Sequence, residues 1–503
     1  DLSVDANAQM DLTDFVKLDD LDLDLKANRL EFSMLDTLGH PSLATHFADC
    51  DLGIDAKGDL DSLNGVIKLS LPEGDFAMGG IDYITPELKR QGDFLKLKIP
   101  LGANLRDKRF TLGKSDLSLS QYDFTLDGDF ALADSAKMRP MVVDMNLKSN
   151  SLPIAPLIAA LPPSFTQWHK GMDVDGKVSL DLNAKGKIEA DTLPLVTGTI
   201  ALDKGVFAYK GLPMKFSKIA AKLRTNLDLS RQNPSTVDVL SLQATSGKSK
   251  ATVTGRVNDL LGNLSTNLKV KGDLKLKELM PLLPKDLKVN AQGDASLDIA
   301  VVATLDQLQN VDLNHIKANG NIKFHDLDAY YDSIHAVSPQ LDLAVQLPVQ
   351  RKVKSNEVLA AHIVGGKLDV DMPSSKMTVK TKNPDLWVRL NDVMDKKQKL
   401  QTSFDVNMGR TSLTMDSTLV YTDSIDLSGA IRYDETKSNI LLQLNPDLDI
   451  SLYRAVVSMP QLPEAVRMPS FDFVYTPEKC RIKDADIRWG TSDYQLSGTV
   501  EHL

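Results

Sequence analysis

The segment LKVKGDLKLK, residues 268–277, decides the fold class of this 503-residue chain. Apart from the glycine near its centre, every second residue is apolar: Leu268, Val270, Leu274 and Leu276. The positions between them carry lysine or aspartate. An extended chain turns successive side chains to opposite faces, so this segment has one apolar and one charged face. Such a segment is typical of an antiparallel sheet with one face on solvent.

Two further segments repeat this alternation. The segment GKVSLDLN, 176–183, places Val178, Leu180 and Leu182 on one face. The segment DASLDIAV, 294–301, places Leu297, Ile299 and Val301 on one face in the same way. Because turn-forming residues separate many segments of this kind, the sequence predicts a mainly β fold.

The composition agrees with many strands joined by turns. The chain holds 58 Asp but only 10 Glu, and Asp favours turns whereas Glu favours helices. Proteins that bind nucleic acid need positive charge to contact the phosphates, whereas this chain has a net charge of −10. We therefore expect no nucleic-acid partner. A chain of this length is too long to fold around one compact hydrophobic core, so several domains or a repeat array are expected.

Internal repeats favour the repeat array. LIAALP at 157–162 returns as LMPLLP at 279–284, and GTIAL at 198–202 returns as GNIKF at 320–324, both displaced by 122 residues. GKSKATVTGRVNDL at 247–260 returns as GTSDYQLSGTVEHL at 490–503, displaced by 243. A short pattern with a central glycine occurs four times, at 124–130, 251–257, 425–431 and 494–500. Several pairs of similar segments at fixed displacements predict a repeat architecture.

These patterns predict a long, curled, groove-like antiparallel β-sheet built from repeats, with a few short helices between strands. One more helix, which does not belong to the repeated pattern, is expected over 384–396. The expected organisation is one continuous elongated array of four segments: 1–120; 121–245 with a helix near 153–162; 246–390 with a helix near 275–284; and 391–503 with a helix near 450–465.

The apolar face of such a sheet is the candidate functional surface. A strip of aliphatic side chains suits acyl chains, whereas sugars and nucleobases call for stacking aromatics, which make up only 6% of the chain. The alternative for each residue is ordinary core packing between sheet and helix. The candidate groove residues are Val178, Leu180, Leu182, Leu268, Val270, Leu274, Leu276, Leu297, Ile299 and Val301.

Motifs for catalysis or metal binding are not found in the sequence. The GKS triplets at 113–115 and 247–249 lack the earlier glycine of a phosphate-binding loop. His315, His325 and His335 recur every ten residues, a spacing that strand periodicity also explains. No nucleophile elbow occurs, and the two cysteines have no catalytic neighbourhood. We therefore expect neither an enzyme nor a cofactor or metal site.

Three segments together resemble the AsmA-like family of bridge-like lipid-transfer proteins. They are GTSDYQLSGTV at 490–500, LKLKELMPLLPKDLKVNAQGDASLDIAV at 274–301, and LPIAPLIAALPPSFTQWHKGMDVDGKVSLDLNAKG at 152–186. The resemblance implies a long curled sheet with an apolar groove in the periplasm of a Gram-negative-type envelope. It also implies phospholipid transport between inner and outer membranes, in support of outer-membrane integrity.

The resemblance places an anchor in the inner membrane, and we expect that anchor in a segment outside this chain. No stretch here reaches the roughly 18 apolar residues of a membrane helix. Two other functions stay open from the sequence. One is a scaffold for outer-membrane protein assembly, acting by β-augmentation on partner proteins. The other is a passive structural solenoid.

Overall fold

A computed structural model describes most of the chain. The ranges are 2–11, 17–35, 41–71, 73–78, 81–82, 95–119, 122–134, 137–155, 172–189, 192–209, 212–230, 232–260, 263–283, 288–310, 315–347, 357–391, 401–432 and 445–501. The chain divides into two compact units. Unit 1 holds Asp1–Thr245 and Thr254–Leu264, and unit 2 holds Ser246–Val253 and Ser265–Leu503. Strand β15 (Ser249–Asn258) contributes residues to both.

Unit 1 is an antiparallel sheet. Strand β2 pairs with β1 and β3, and β3 then pairs with β5 through 43–48 and with β4 through 51–58. From β4 the order is β7, β8, β9, β10, β11, β12, β13, β14. Its strands are β1 (Leu2–Asp11), β2 (Lys17–Leu35), β3 (Pro41–Gly58), β4 (Leu63–Leu71), β5 (Glu73–Met78), β6 (Ile81–Asp82), β7 (Leu95–Asn104), β8 (Arg109–Leu119), β9 (Tyr122–Ala131), β10 (Met141–Pro153), β11 (Met172–Ile188), β12 (Leu195–Tyr209), β13 (Leu212–Asp228) and β14 (Thr236–Ser246).

Unit 2 is also built from antiparallel strands, and within it β16 to β19 and β28 to β31 pair in chain order. Its strands are β16 (Ser265–Lys275), β17 (Val289–Thr304), β18 (Lys317–Tyr331), β19 (Ile334–Leu347), β20 (Glu357–Gly365), β21 (Lys367–Met372), β22 (Met377–Lys382), β23 (Asp385–Asn391), β24 (Gln401–Met408), β25 (Thr411–Met415), β26 (Thr418–Thr422), β27 (Ser424–Arg432), β28 (Pro446–Ser458), β29 (Val466–Thr476), β30 (Lys479–Trp489) and β31 (Ser492–Glu501). The predicted mainly β, antiparallel fold is confirmed.

Between β19 and β28 the sheet of unit 2 splits into two ladders of short strands. The first ladder is β20, β23, β24 and β27. The second ladder is β21, β22, β25 and β26. Both ladders join β19 on one side and β28 on the other.

Four hydroxyl residues line the junction between the two ladders. They are almost fully buried: Ser338, Thr381, Thr411 and Thr422. The Thr422 hydroxyl lies 2.8 Å from the carbonyl oxygens of both Ser424 and Tyr453. Small buried hydroxyls that bond to backbone carbonyls suit a bend in the sheet, because the backbone groups left unpaired there need partners. The junction is consistent with the expected curl.

Two short helices occur in the described part of the chain. Helix α1 (Leu276–Leu279) continues into a 3₁₀ turn, Met280–Leu282, and this confirms the helix predicted near 275–284. Helix α2 (Leu305–Gln309) begins with a capping box formed by Thr304 and Gln307. Of the helix predicted near 153–162, residues 156–162 lie outside the described residues.

The helix predicted near 450–465 is wrong, because strand β28 covers most of it. Leu448, Ile450 and Leu452 alternate as a strand requires, but Arg454 then takes a left-handed backbone conformation, with φ of 48°. This residue shifts the phase, so that Ala455 is the next buried residue. The combined spacing imitates a helical period although residues 446–458 form a strand.

The helix predicted over 384–396 is also wrong. Residues 385–391 form β23 between β20 and β24, and 392–396 lie outside the described residues. Leu386, Val388 and Leu390 alternate with polar and aromatic side chains, which suits a strand with neighbours on both edges.

Candidate functional site: an apolar sheet face

A continuous row of apolar side chains crosses ten strands of unit 2. Each member lies directly opposite the next one on the neighbouring strand. This first apolar row consists of Leu297, Ile322, Leu343, Ile363, Leu386, Val406, Leu427, Ile450, Phe473 and Ile482. Directly opposed residues share one face of a sheet, so all ten point the same way.

The first apolar row combines length with accessibility. All ten side chains are half-buried, so each keeps part of its surface in contact with solvent. Neighbouring strands lie about 4.8 Å apart, which gives the row a length of about 43 Å. The row is therefore a strip of aliphatic surface that a long apolar molecule could follow.

A second apolar row runs through the second ladder. Its side chains are smaller, mostly alanine and valine, and again each lies opposite the next. The row consists of Ala291, Ala329, Ala336, Val370, Val379, Leu413, Val420, Val457 and Val466. Ile322 of the first row and Ala329 of the second pack against the same cluster, so both rows belong to one face.

Unit 1 has the same construction. One row crosses six strands through Leu25, Leu52, Leu69, Leu97, Leu117 and Phe124. Another crosses β11 to β14 through Leu180, Ile200, Leu223 and Val239. Every described member of both rows is half-buried. Unit 1 therefore presents an apolar face of its own.

The three candidate residues of β11 lie on the apolar face of unit 1. Val178 and Leu180 pack against the buried pair Tyr122 and Leu152. Leu182 lies opposite Leu147 on β10 and opposite Gly198 on β12. The structure thus gives Val178 and Leu180 a packing role as well as a half-exposed surface.

The candidate residues of β16 and β17 come together on one face of unit 2. Leu268 lies opposite Val301, Val270 opposite Ile299, Gly272 opposite Leu297, and Leu274 opposite Ala295. Leu297 is also the first member of the first apolar row. These six predicted residues therefore line one end of that face.

Leu276 differs from the other candidates. The strand ends at Lys275, and Leu276 begins helix α1, where it is buried against Ala291 and Ala295. Its side chain covers the apolar face instead of lining an open part of it. The alternation in the sequence runs through Leu276 because a helix that packs on the same face also needs an apolar residue there.

Sequence reasoning named only Leu297 of the first apolar row and missed the other nine members, including the middle of the row from Ile363 to Leu427. The strands of the two ladders are short, six to nine residues in most cases, and turns interrupt their alternation. Two signals were present: GNIKF at 320–324, which contains Ile322, and IDLSGAI at 425–431, which contains Leu427. Both were recognised as repeats but not assigned to a face.

In each unit, the face opposite the apolar one carries charged side chains. Lys148 lies opposite Asp181, with its Nζ 3.3 Å from the carboxylate. The Asp298 carboxylate lies 3.1 Å from both Lys271 and Lys269, and hydrogen bonds from these two lysines lower its pKa. Exposed pairs of this kind contribute little stability, but they mark the face that prefers water.

Histidines on the charged face stack on aromatic rings. His335 lies 4.1 Å from the ring of Tyr330, and its Nε2 is 2.8 Å from Asp328. His362 lies 4.0 Å from the ring of Trp387, with Nε2 2.7 Å from Asp385. Each ring is thus held by one carboxylate. Over the described ranges, no three His, Cys, Asp or Glu side chains come together as metal ligands.

Glu278 fixes helix α1 at the end of the apolar face. Its carboxylate accepts hydrogen bonds from the backbone N–H groups of Lys248 and Ser249 and from the Ser249 hydroxyl, at 2.6 to 3.2 Å. These hydrogen bonds lower the pKa of Glu278, and the bond from the Ser249 hydroxyl has the largest effect. The segment 247–249 is therefore a hairpin turn tied to the helix.

None of the chain's helices, in the residues that the structure describes, is long and apolar enough to cross a membrane. No protein-family model and no curated protein matches the chain.

Proposed function

We propose that the apolar face binds phospholipid acyl chains and lets them move along its rows. The protein would then be a bridge-like lipid-transfer segment in the periplasm, carrying phospholipids between inner and outer membranes and supporting outer-membrane integrity. An inner-membrane anchor would lie outside these residues. The observation that carries the proposal is the first apolar row, continuous over ten strands and half-buried throughout.

The chemistry of the row supports an acyl ligand. Nine of its ten side chains are Leu, Ile or Val, and Phe473 is the exception. Each methylene group removed from water contributes about 0.8 kcal/mol, so binding needs no hydrogen-bond partner and no headgroup recognition. Because successive positions are chemically alike, an acyl chain would have a similar affinity at each one, which is what movement along the row requires.

The first test places a charge in the face at Ile299, which lies between Val270 and Gly320. We expect Ile299→Asp to abolish most co-purified phospholipid, because a carboxylate in an acyl site must give up its hydration. Native mass spectrometry of detergent-free protein, with lipid extraction, measures the load. Leu180→Asp makes the same test in unit 1.

Ala300→Asp is the matched control, because Ala300 is exposed on the charged face opposite Lys269. It should keep the wild-type lipid load. A folded Ile299→Asp protein with normal lipid load and normal transfer between vesicles would disprove the proposal. A lipid-free wild-type protein with an intact β spectrum would do the same.

A further inference from the structure

The apolar face of unit 2 ends in an apolar edge at three hairpin turns. The turns join β18 to β19, β21 to β22 and β25 to β26. On each of these strands, the residue next to the turn lies two positions from a member of the second apolar row, so it belongs to the same face. Five of these six residues are apolar, and we call them the apolar lip: Tyr331, Ile334, Met372, Met377 and Met415.

The lip is contiguous and exposed. Tyr331 lies opposite Ile334. Met377 lies opposite Met372 on one side and Met415 on the other. Tyr331 is 58% exposed, Met415 51% and Ile334 37%, whereas the second-row residues two positions behind them are half-buried. Contiguous exposed apolar side chains mark an interaction surface.

Two other hairpins show the ordinary arrangement at a turn. The β29–β30 hairpin closes with Thr476 opposite Lys479, and the β7–β8 hairpin closes with Asn104 opposite Arg109. Polar residues suit such positions because turns lie in solvent. Tyrosine, isoleucine and methionine at the lip instead leave apolar surface in water, so these positions suit contact with another apolar surface.

The charged groups at the turns of the lip cancel. Asp332 pairs with Lys288 at 2.8 Å, and Asp416 pairs with Lys376 at 3.3 Å. In both pairs the backbone N–H of the aspartate also donates to the carbonyl oxygen of the lysine, at 2.8 and 2.9 Å. These four residues contribute no net charge, whereas the whole chain carries −10.

We propose that the apolar lip docks on the surface of a phospholipid bilayer, and that acyl chains enter or leave the apolar face there. Tyrosine suits the boundary between acyl chains and headgroups, because its ring is apolar and its hydroxyl is polar. Methionine side chains are flexible and adapt to a fluid surface. Lys288 and Lys376 have long side chains that reach toward lipid phosphates. Because the two ion pairs cancel, an acidic chain meets an anionic bilayer at this edge with little repulsion.

The lip leads directly to the second apolar row. On β25, Leu413 lies two residues from Met415 on the same face, a distance of about 7 Å. On β22, Val379 lies two residues from Met377 in the same way. An acyl chain that crosses the lip therefore meets aliphatic side chains at its next contact. The role of the lip rests on the proposed function, because an entry point for acyl chains has a use only if the face binds them.

The first test measures flotation of the whole chain with vesicles of phosphatidylethanolamine and phosphatidylglycerol. We expect Met415→Asp to weaken vesicle binding by about fivefold, because a carboxylate at the bilayer surface must give up hydration and meets anionic headgroups. Leu105→Asp is the matched control, because Leu105 is 41% exposed at the β7–β8 turn. It should bind vesicles as the wild type does.

The co-purified lipid load separates the lip from the apolar face. Met415→Asp should keep the wild-type load, because the rows behind the lip are unchanged. Ile299→Asp should lose the load and still bind vesicles. Failure of the face to bind lipid and failure of the lip to bind vesicles are therefore different results.

The second test introduces no charge. Tyr331→Trp places an indole at the lip, and vesicles with brominated acyl chains quench indoles that reach the acyl region. We expect the fluorescence added by this variant to fall by about twofold or more, whereas Leu105→Trp should show no added quenching. The proposal is overturned by a wild-type protein that does not bind vesicles, by unchanged binding in Met415→Asp, by equal quenching in the two tryptophan variants, or by vesicle-free dimers that Met415→Asp dissociates.

Discussion

At the scale of single residues, Glu278 joins two elements of unit 2 through one carboxylate. The carboxylate accepts hydrogen bonds from Lys248 and Ser249 in the β14–β15 hairpin turn. The charge-assisted bonds favour the ionised form, so the pKa of Glu278 lies below its ordinary value of 4.5. A lowered pKa means that the ionised group stabilises the folded state. This stabilisation is fully present above pH 4.5 and is lost as the pH falls through the lowered pKa.

Glu278→Gln tests this linkage. At pH 7 we expect the protection of the Ser249 amide against hydrogen exchange to fall by about fivefold, because the neutral amide is a weaker acceptor. At a pH below the lowered pKa the two proteins should have the same protection, because the wild-type carboxyl is then neutral too.

Glu464→Gln is the control for Glu278→Gln, since Glu464 is exposed and accepts none of the bonds in this turn. It should leave the Ser249 amide unchanged at both pH values. A difference between wild type and Glu278→Gln that is equally large in acid and at pH 7 would show that charge is not the cause.

Thr422 is a second residue whose contribution can be measured. It lies at the junction of the ladders and is only 1% exposed. We expect Thr422→Val to lower the free energy of unfolding by about 1–3 kcal/mol, since it leaves the carbonyls of Ser424 and Tyr453 without this hydroxyl. Urea denaturation measures the change. Thr418→Val, half-buried on the same strand, should change stability by less than about 0.5 kcal/mol. Equal effects of the two substitutions would contradict a special role for Thr422.

At the scale of elements, strands with an unbroken alternation of apolar and polar residues could be predicted from the sequence. Strands whose alternation shifts by one residue could not. LKVKGDLKLK shows its faces directly, and residues 268–274 lie in the structure as the alternation predicts. In β28 the left-handed Arg454 breaks the alternation, so the same rule gave a helix. Residue type does not reveal this conformation, because arginine rarely adopts it. In β28 the sequence periodicity therefore fails at the left-handed residue.

Helix α1 could be predicted as a helix but not as a cover for the sheet. Its apolar residues and the proline of its 3₁₀ turn are visible in LKLKELMPLLP. Its position depends on Glu278, whose partners lie about 30 residues earlier in a hairpin turn. Long-range hydrogen bonds of this kind leave no periodic signal, so the sequence suggested that Leu276 lines the groove instead of covering it.

At the scale of the whole face, the proposed function depends on the continuity of the apolar row, which no single strand displays. The first apolar row passes through β20, β23, β24 and β27, which the sequence did not assign to a face. The strand register alone aligns these short strands with the long strands of β17 to β19 and β28 to β30. The candidate site is thus a property of register, whereas its chemical character could be predicted from residue types.

Continuity makes a kinetic prediction that a set of separate lipid sites does not make. Leu343 and Phe473 lie near opposite ends of the first apolar row, six strands apart along it. If lipids travel along the row, each must pass both positions. We expect Leu343→Asp and Phe473→Asp each to slow vesicle-to-vesicle transfer by about tenfold, which corresponds to a barrier of about 1.4 kcal/mol.

The double variant then distinguishes the two arrangements, because resistances in series add. Two equal barriers on one path should slow transfer by at most about twofold more than either barrier alone. Independent parallel sites would instead let each single variant keep about half of the wild-type rate. Ala344→Asp, next to Leu343 but on the charged face opposite His362, should transfer lipid at the wild-type rate. Single variants that both keep half of the rate would exclude a continuous path along the row.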